Sequence, residues 1–256
     1  MKKEETQNVL ITGGARRIGA AIATVLAADG WTIGIHYNES EKPAKDLCST
    51  LRNSGNQAYT VQANFKKIEE TDKVIDLAIE RGGPITCLIN NASIFEQDDV
   101  SNLSQESWEK HIGINLWTPV RLSQNFQRNL PNDQKGNIVN IVDQRSINLS
   151  PGFLSYTASK AGLWAITQTL ALSLAPRIRV NAIGPGPTLP SPRQTKEQFS
   201  KQASHMPLGR GPSVKEIAEG VRYILASRSL TGQLIALDGG QHLGWDFPRK
   251  DCSGIE

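Results

Sequence analysis

The stretch Val9-Leu10-Ile11-Thr12-Gly13-Gly14-Ala15-Arg16-Arg17-Ile18-Gly19 decides the fold of this chain. A short apolar run ends at a glycine-rich turn, and beyond the turn Ile18, Ile22 and Val25 recur at helical spacing. Glycines between a strand and a helix let the backbone approach a pyrophosphate, while the helix N-terminus supplies N–H groups and positive potential. The stretch predicts a strand, a phosphate-binding turn and a helix, although an ordinary tight turn would use the same glycines.

Short β-branched runs alternate with helix-period stretches along the rest of the chain. Further strands are predicted at 32–37, 57–62, 86–89, 137–142, 178–183 and 233–237. Helices are predicted at 41–54, 66–81, 104–129, 155–175 and 214–227. Strands joined by connections long enough for helices pair in parallel and are covered on both faces. We therefore expect one α/β domain over residues 1–256, with a doubly wound, seven-stranded parallel sheet and helices on both faces.

Charge and cysteine content exclude several classes of protein. Lys and Arg number 28 against 25 Asp and Glu, a net charge of +3 without blocks of like charge, so no nucleic-acid partner is expected. No apolar run approaches the about 20 residues of a membrane span or the core of a signal peptide. Three scattered cysteines (Cys48, Cys87 and Cys252) and histidines without ligand spacing predict neither a disulfide framework nor a metal site. We expect a soluble, cytoplasmic protein.

The charges around the glycine-rich turn indicate which dinucleotide would bind. Arg16 and Arg17 stand at a helix start, where the helix dipole disfavours them, so they suggest an anionic partner rather than two solvated side chains. No aspartate closes the second strand to grip a ribose. Asn38 and Ser40, with Arg16, could donate to a 2′-phosphate, which favours NADP, whereas Glu39 could bind the ribose of NAD.

A tyrosine and a lysine share one face of a predicted helix. Tyr156 and Lys160 are four residues apart in Tyr156-Thr157-Ala158-Ser159-Lys160. An ammonium beside a phenol lowers the phenol pKa toward a range useful for proton transfer. Taken alone, this common spacing favours a pair on the protein surface, so the catalytic interpretation needs further residues.

Further motifs make the sequence resemble the short-chain dehydrogenase/reductase family over nearly its whole length. These motifs are Asn90-Asn91-Ala92-Ser93, Asn115, Asn181, Pro185-Gly186 and Asp238-Gly239-Gly240. The resemblance implies a Rossmann-type fold, a homotetramer, a substrate loop at about 187–211 and catalytic roles for Tyr156, Lys160 and Asn115. The cofactor contacts that it implies are Gly13, Arg16, Arg17, Ile18, Gly19, Tyr37, Asn38, Ser40, Asn64, Phe65, Asn91, Ala92, Ser93, Tyr156, Lys160, Pro185, Gly186 and Thr188.

Departures from the family pattern narrow the resemblance to its pteridine reductase branch, which includes the bacterial dihydromonapterin reductases. Arg17 and Ser93 stand where the family has glycine, and Asp143 stands at the catalytic serine position, thirteen residues before the tyrosine. Asn64-Phe65 replaces an aspartate that binds the adenine amino group, and Phe95 follows Ser93 at the mouth of the expected cleft. The implied substrate contacts are Arg17, Ser93, Phe95, Asp143 and Tyr156.

The resemblance implies an NADPH-dependent reductase of a dihydropterin C=N bond. Tyr156 would relay a proton with help from Asp143, Lys160 would hold the ribose and lower the phenol pKa, and Asn115 would keep a water connected to Lys160. Asp143 pairing only with Arg145, or Phe95 packing as core, are the structural alternatives. The functional alternatives are a short-chain carbonyl reductase of a 3-oxoacyl or sugar substrate, and a non-catalytic NADP-binding regulator.

Overall fold

A seven-stranded parallel sheet forms the centre of the computed structural model, which describes residues 7–244. Its strands are β1 Asn8–Ile11, β2 Thr32–Tyr37, β3 Ala58–Gln62, β4 Cys87–Asn90, β5 Gly136–Ile141, β6 Ile178–Pro185 and β7 Leu234–Leu237. They lie in the order β3-β2-β1-β4-β5-β6-β7. The predicted strands are confirmed, and their ends agree with the structure to within two residues.

The helices are α1 Arg17–Ala28, α2 Glu41–Asn53, α3 Ile68–Gly82, α4 Gln105–His111, α5 Thr118–Asn129, α6 Leu154–Leu174, α7 Lys196–Ser204 and α8 Val214–Ala226. The single helix predicted over 104–129 is wrong in one detail, because a π-helical segment, Ile112–Trp117, joins α4 to α5. The expected substrate loop contains α7, which periodicity missed because this short helix is polar and begins with a capping box at Thr195. Within residues 7–244, no helix has the length and apolar character needed to span a bilayer.

Two helical layers cover the sheet. Helices α1, α2 and α8 cover one face, and α3, α5 and α6 cover the other. Val9 and Ile11 pack in the first layer, whereas Leu10 between them packs in the second. Because successive side chains of a strand point to opposite faces, a strand buried on both faces needs a continuous apolar run. The three apolar residues at 9–11 are therefore explained by the burial of both faces of β1.

The strand order places the cleft. From β1 the sheet grows through β2 to β3 in one direction and through β4 to β7 in the other. The connections therefore diverge at the carboxyl ends of β1 and β4, where open parallel sheets bind ligands. A cleft of ≈ 690 Å³ opens at this point.

Candidate active site

The glycine-rich turn after β1 forms the floor of the cleft. Gly13 has φ +60, a conformation that side chains rarely adopt, and a Cβ there would lie 3.1 Å from the Ala92 backbone. A Cβ at Gly19 would lie 2.4 Å from the Gly13 carbonyl oxygen. The turn therefore needs glycine at both positions to pack against the end of β4.

Two polar side chains fix the turn from neighbouring strands. The N–H of Gly13 donates to Nδ1 of His36, 3.0 Å away, and burial lowers the pKa of His36 to about 4, so the ring is a neutral acceptor at physiological pH. The Asn91 amide donates to the carbonyl oxygens of Thr12 and Gly13 at 2.9 and 3.1 Å. The predicted cofactor residue Asn91 thus acts on the shape of the turn.

The first turn of α1 presents uncompensated positive potential to the cleft. Arg16 is the N-cap residue, its side chain makes no capping hydrogen bond, and the first turn holds no acidic residue. Arg17 has φ +54, a left-handed conformation that glycine adopts without strain, and this explains why glycine suits the position. Its guanidinium donates to the carbonyl oxygens of Pro190 and Leu189 at 3.0 and 3.3 Å, so Arg17 links the turn to the segment 187–211, the expected substrate loop.

The far end of the cleft lies beyond β2 and β3. Asn38, Glu39 and Ser40 line it, and the Asn38 amide lies 3.4 Å from a Glu39 carboxylate oxygen. The Asn64 side-chain oxygen already accepts the Lys66 N–H at 3.0 Å, leaving one lone pair for the expected adenine contact. Lys66 itself lines the cleft and was not predicted.

Asn115 lies in the π-helical segment and is fully buried. Its Oδ1 accepts from the Ile94 N–H at 2.9 Å and the Ser93 hydroxyl at 3.1 Å. Its Nδ2 donates to the Ile94 carbonyl at 2.9 Å and to the Ser159 hydroxyl at 3.1 Å. All four hydrogen-bonding positions of the amide are used, so the side chain has no position left for a water, and the expected water link between Asn115 and Lys160 stays a prediction. Asn115 instead positions Ser93 and Ile94.

Helix α6 and the end of β5 bring together the three other predicted catalytic residues. The Tyr156 hydroxyl donates to Oδ2 of Asp143 at 2.8 Å. The other Asp143 oxygen accepts the backbone N–H of Arg145 at 2.9 Å, not its guanidinium, so the alternative in which Asp143 only pairs with the Arg145 side chain is wrong. The Lys160 ammonium donates to the Ile141 carbonyl at 2.8 Å. The spacing of four residues on α6 aims both side chains at the strand end.

The pKa of the Tyr156 phenol is raised, whereas the sequence led us to expect that it would be lowered. Burial, followed by the negative charge of Asp143, raises the pKa of Tyr156 well above its ordinary value. Burial lowers the pKa of Lys160 to about 8, and Asp143 opposes that change. The prediction that Lys160 lowers the phenol pKa is wrong, because its Nζ lies 5.8 Å from the ring centroid whereas Asp143 touches the hydroxyl. The phenol keeps its proton.

An aromatic cluster forms one wall of the site. Phe95 stacks on Phe153 with centroids 4.5 Å apart and meets the Tyr156 ring edge-on at 4.6 Å. Phe95 packs against buried Phe153 and also lines the cleft, and its contact with a substrate stays a prediction. Sequence reasoning missed Phe153, which has φ +61; no periodicity marks a residue placed by a left-handed turn.

A buried polar network supports the start of α6. The Ser155 hydroxyl donates to the Asp98 carboxylate, and Nδ1 of His111 lies 2.7 Å from the same hydroxyl. Nε2 of His111 accepts the Glu96 N–H at 3.2 Å, and burial lowers the pKa of this histidine. The network fixes the segment after Phe95 against the residue preceding Tyr156. Its members are far apart in sequence, so no local signal predicts it.

Most predicted site residues meet in one place. Every residue expected to contact cofactor or substrate lines the cleft, and of the four expected catalytic residues Asn115 does not. Asn181 also lies away from the cleft lining, because its amide bridges β6 to the Leu230 carbonyl and the Gln233 N–H. The lining residues that sequence reasoning missed include Lys66, Lys110, Gln144, Arg145, Phe199 and Gln202.

Comparison with known proteins agrees with this geometry. The model of the short chain dehydrogenase family matches residues 7–201. The chain belongs to that family. As a short-chain dehydrogenase it is 30% identical over 238 residues to a 3-oxoacyl-[acyl-carrier-protein] reductase of Synechocystis sp., which covers 91% of this chain and 96% of that protein.

This short-chain dehydrogenase is also similar in sequence and structure to two solved reductases from Brucella species. It is 47% identical to FolM alternative dihydrofolate reductase 1 of Brucella canis complexed with NADP, over 98% of this chain and 100% of that one, with a TM-score of 0.93. The corresponding Brucella suis protein in complex with NADP is 49% identical, over 94% and 97% of the two chains, with a TM-score of 0.91.

Proposed function

We propose that this chain is an NADPH-dependent short-chain reductase that reduces the C=N bond of a dihydropterin. The observation that carries the proposal is the hydrogen bond from Tyr156 to Asp143 inside the cleft. A carboxylate beside a developing alkoxide is repulsive, which disfavours carbonyl substrates. A ring nitrogen that takes up a proton develops no such negative charge, so a carboxylate can orient its proton donor.

The residues at the turn fit an NADP dinucleotide. The uncapped N-terminus of α1, with Arg16 and no acidic residue beside it, suits a pyrophosphate. Ser40 and Lys66 line the end of the cleft where a 2′-phosphate would lie. The resemblance to two NADP-bound Brucella reductases supports the same cofactor. When bound, NADPH supplies the hydride.

The chain's own residues supply position and the proton. Tyr156 holds its proton because burial and Asp143 raise its pKa, so the phenol serves as donor to the ring nitrogen. Asp143 orients that hydroxyl through the 2.8 Å hydrogen bond. The Lys160 ammonium donates to the Ile141 carbonyl, and this residue would hold the nicotinamide ribose. Ser93 and Phe95 offer a hydroxyl and an aromatic edge to a flat bicyclic substrate.

The test is steady-state NADPH consumption with a panel of dihydropterins, a 3-oxoacyl thioester and sugar ketones. We expect turnover with the dihydropterins, and faster turnover with NADPH than with NADH. Turnover with ketones alone would support the carbonyl reductase alternative, which the 3-oxoacyl reductase relative favours. Binding of NADPH without turnover of any substrate would support the non-catalytic regulator.

We also propose a cytoplasmic homotetramer. Three large apolar side chains on neighbouring helical elements face outward: Trp108 is 41% exposed, Trp117 52% and Leu172 84%. A second copy of the chain would cover such side chains. Light scattering on the purified protein tests the mass, and Trp117→Lys should shift it toward smaller species.

A further inference from the structure

Arg145 is a buried cation at the wall of the cleft. Its side chain is 5% exposed and lines the cleft beyond Asp143. Its backbone N–H donates to Asp143, but within residues 7–244 the guanidinium makes neither a hydrogen bond nor an ion pair. The N–H donors of this permanently charged group thus lie at the cleft wall without a protein acceptor in the described part of the chain.

The surroundings of Arg145 are aromatic and cationic. Its guanidinium carbon lies 4.7 Å from the Phe153 ring centroid and 5.5 Å from that of Phe95. Arg193, from the substrate loop, lies 4.9 Å from the Phe95 centroid and 5.4 Å from that of Phe153. The nearby Glu96 carboxylate is bound by Lys110 at 2.8 Å. Two guanidinium groups therefore share one pair of rings.

Contacts with aromatic faces return part of the cost of burying a guanidinium, but leave its N–H donors unsatisfied. The planar fork of arginine matches a carboxylate in a bidentate fashion. An anionic group that enters the cleft beside Arg145 would supply the missing acceptor. The cofactor's phosphates belong to the other end of the cleft, at Gly13 and Arg16, whereas Arg145 follows the Asp143 that touches Tyr156.

We infer that Arg145 binds a carboxylate carried by the substrate on a substituent of the ring that is reduced. This inference rests on the proposed function and narrows the substrate class to dihydropterins with a carboxylate-bearing side chain. Phe95, which stacks on buried Phe153, would contact the apolar part of that side chain, and Arg145 is the residue that determines specificity for its charged end.

The test compares two dihydropterins in wild type, Arg145→Met and Arg145→Lys. One substrate is 7,8-dihydrofolate, whose side chain ends in carboxylates, and the other is 7,8-dihydrobiopterin, whose side chain is uncharged. We expect the ratio of kcat/KM for the two substrates to fall at least tenfold in Arg145→Met, mainly through KM for dihydrofolate. Arg145→Lys should give an intermediate ratio, since it keeps the charge and loses the fork.

Controls separate this role from general damage. Arg228→Met changes an exposed arginine outside the cleft and should leave the ratio unchanged. Arg145→Met should melt no lower than wild type, because it replaces an unpaired buried charge with an apolar chain. If Arg145→Met does not fold, the ratio of kcat/KM for the two dihydropterins is compared between wild type and Arg145→Lys.

Three results would overturn the inference. One is a ratio within twofold of wild type in both variants, and another is an equal loss on both substrates. The third is weaker NADPH binding with the ratio preserved, which would assign the anion to the cofactor. A wild type that reduces neither dihydropterin refutes the proposed function itself, whereas reduction of both with an unchanged ratio refutes only the role of Arg145.

Discussion

The hydroxyl of Tyr156 and the carboxylate of Asp143 form a 2.8 Å hydrogen bond in the cleft. The phenol donates, and its pKa is raised by burial and by the neighbouring negative charge. The geometry describes a protonated donor aimed by a carboxylate, an arrangement suited to delivering a proton to nitrogen.

Replacing Asp143 by serine should separate pterin chemistry from carbonyl chemistry. We expect Asp143→Ser to lower kcat/KM for a dihydropterin about 100-fold, the scale of one lost contribution to proton transfer. Weak activity on reactive ketones should be spared or increased, because the charge that repels an alkoxide is gone. Measuring kcat/KM on both substrate types reports the change in transition-state stabilisation. Asp76→Ser, an exposed change on α3, serves as control. An unchanged rate on dihydropterins would contradict the role of Asp143.

The pH dependence of activity should move when the charge of Asp143 is removed. Asp143 raises the pKa of both Tyr156 and Lys160. Asp143→Asn should therefore lower both pKa values and shift the alkaline limb of the kcat/KM profile to lower pH. The profile with the better dihydropterin substrate, recorded for wild type and variant, checks the direction. A shift to higher pH would mean that other groups control the limb.

Removal of the phenol hydroxyl should stop the reaction while leaving the cofactor bound. We expect Tyr156→Phe to reduce kcat by about 10²–10⁴-fold. NADPH affinity, followed by fluorescence titration, should stay close to that of wild type because the ring remains in contact with Phe95. Lys160→Ala should weaken both rate and affinity. Near-full turnover by Tyr156→Phe would remove tyrosine from the mechanism.

Acid should destabilise the protein through His36. Burial lowers its folded-state pKa from 6.5 to about 4, so between these values the unfolded chain binds more protons and stability falls as pH falls. Between pH 7.5 and pH 5 this histidine should remove about 2 kcal/mol from the free energy of unfolding. Urea unfolding at both pH values measures the loss, and His36→Gln should show a loss smaller by that amount. Equal losses in the two proteins would contradict the assignment.

The link between Arg17 and the substrate loop should control that loop's mobility. Arg17→Gly and Arg17→Ala both remove the hydrogen bonds to Leu189 and Pro190, so amides in 187–211 should exchange faster in each variant. Glycine accepts φ +54 without strain, so the alanine variant should be less stable than the glycine variant by about 1 kcal/mol. Hydrogen exchange and urea unfolding test the two parts separately. Amide exchange rates equal to those of wild type would show that the Arg17 hydrogen bonds do not restrain the segment 187–211.

The sequence by itself determined the fold and the framework of the site. Short apolar runs such as 9–11 predict buried parallel strands because both faces of each strand are covered. The spacing of Tyr156 and Lys160 follows from helical geometry alone. Arg17 and Asp143, which depart from the family pattern, can be identified from the sequence alone. These features depend on local periodicity and on chain order, which the sequence states directly.

Only the tertiary structure decided which groups touch. Arg17 donates hydrogen bonds to the segment 187–211, more than 170 positions away in sequence. The side-chain amide of Asn115 is hydrogen-bonded to Ile94 and Ser159. The pKa of Tyr156 rises because burial and the direction of Asp143 outweigh a lysine four residues away. Arg145 is buried without an acceptor among residues 7–244 because the β5 end and the left-handed turn at Phe153 meet around it. Burial and side-chain direction arise when distant segments pack together, and no local pattern encodes them.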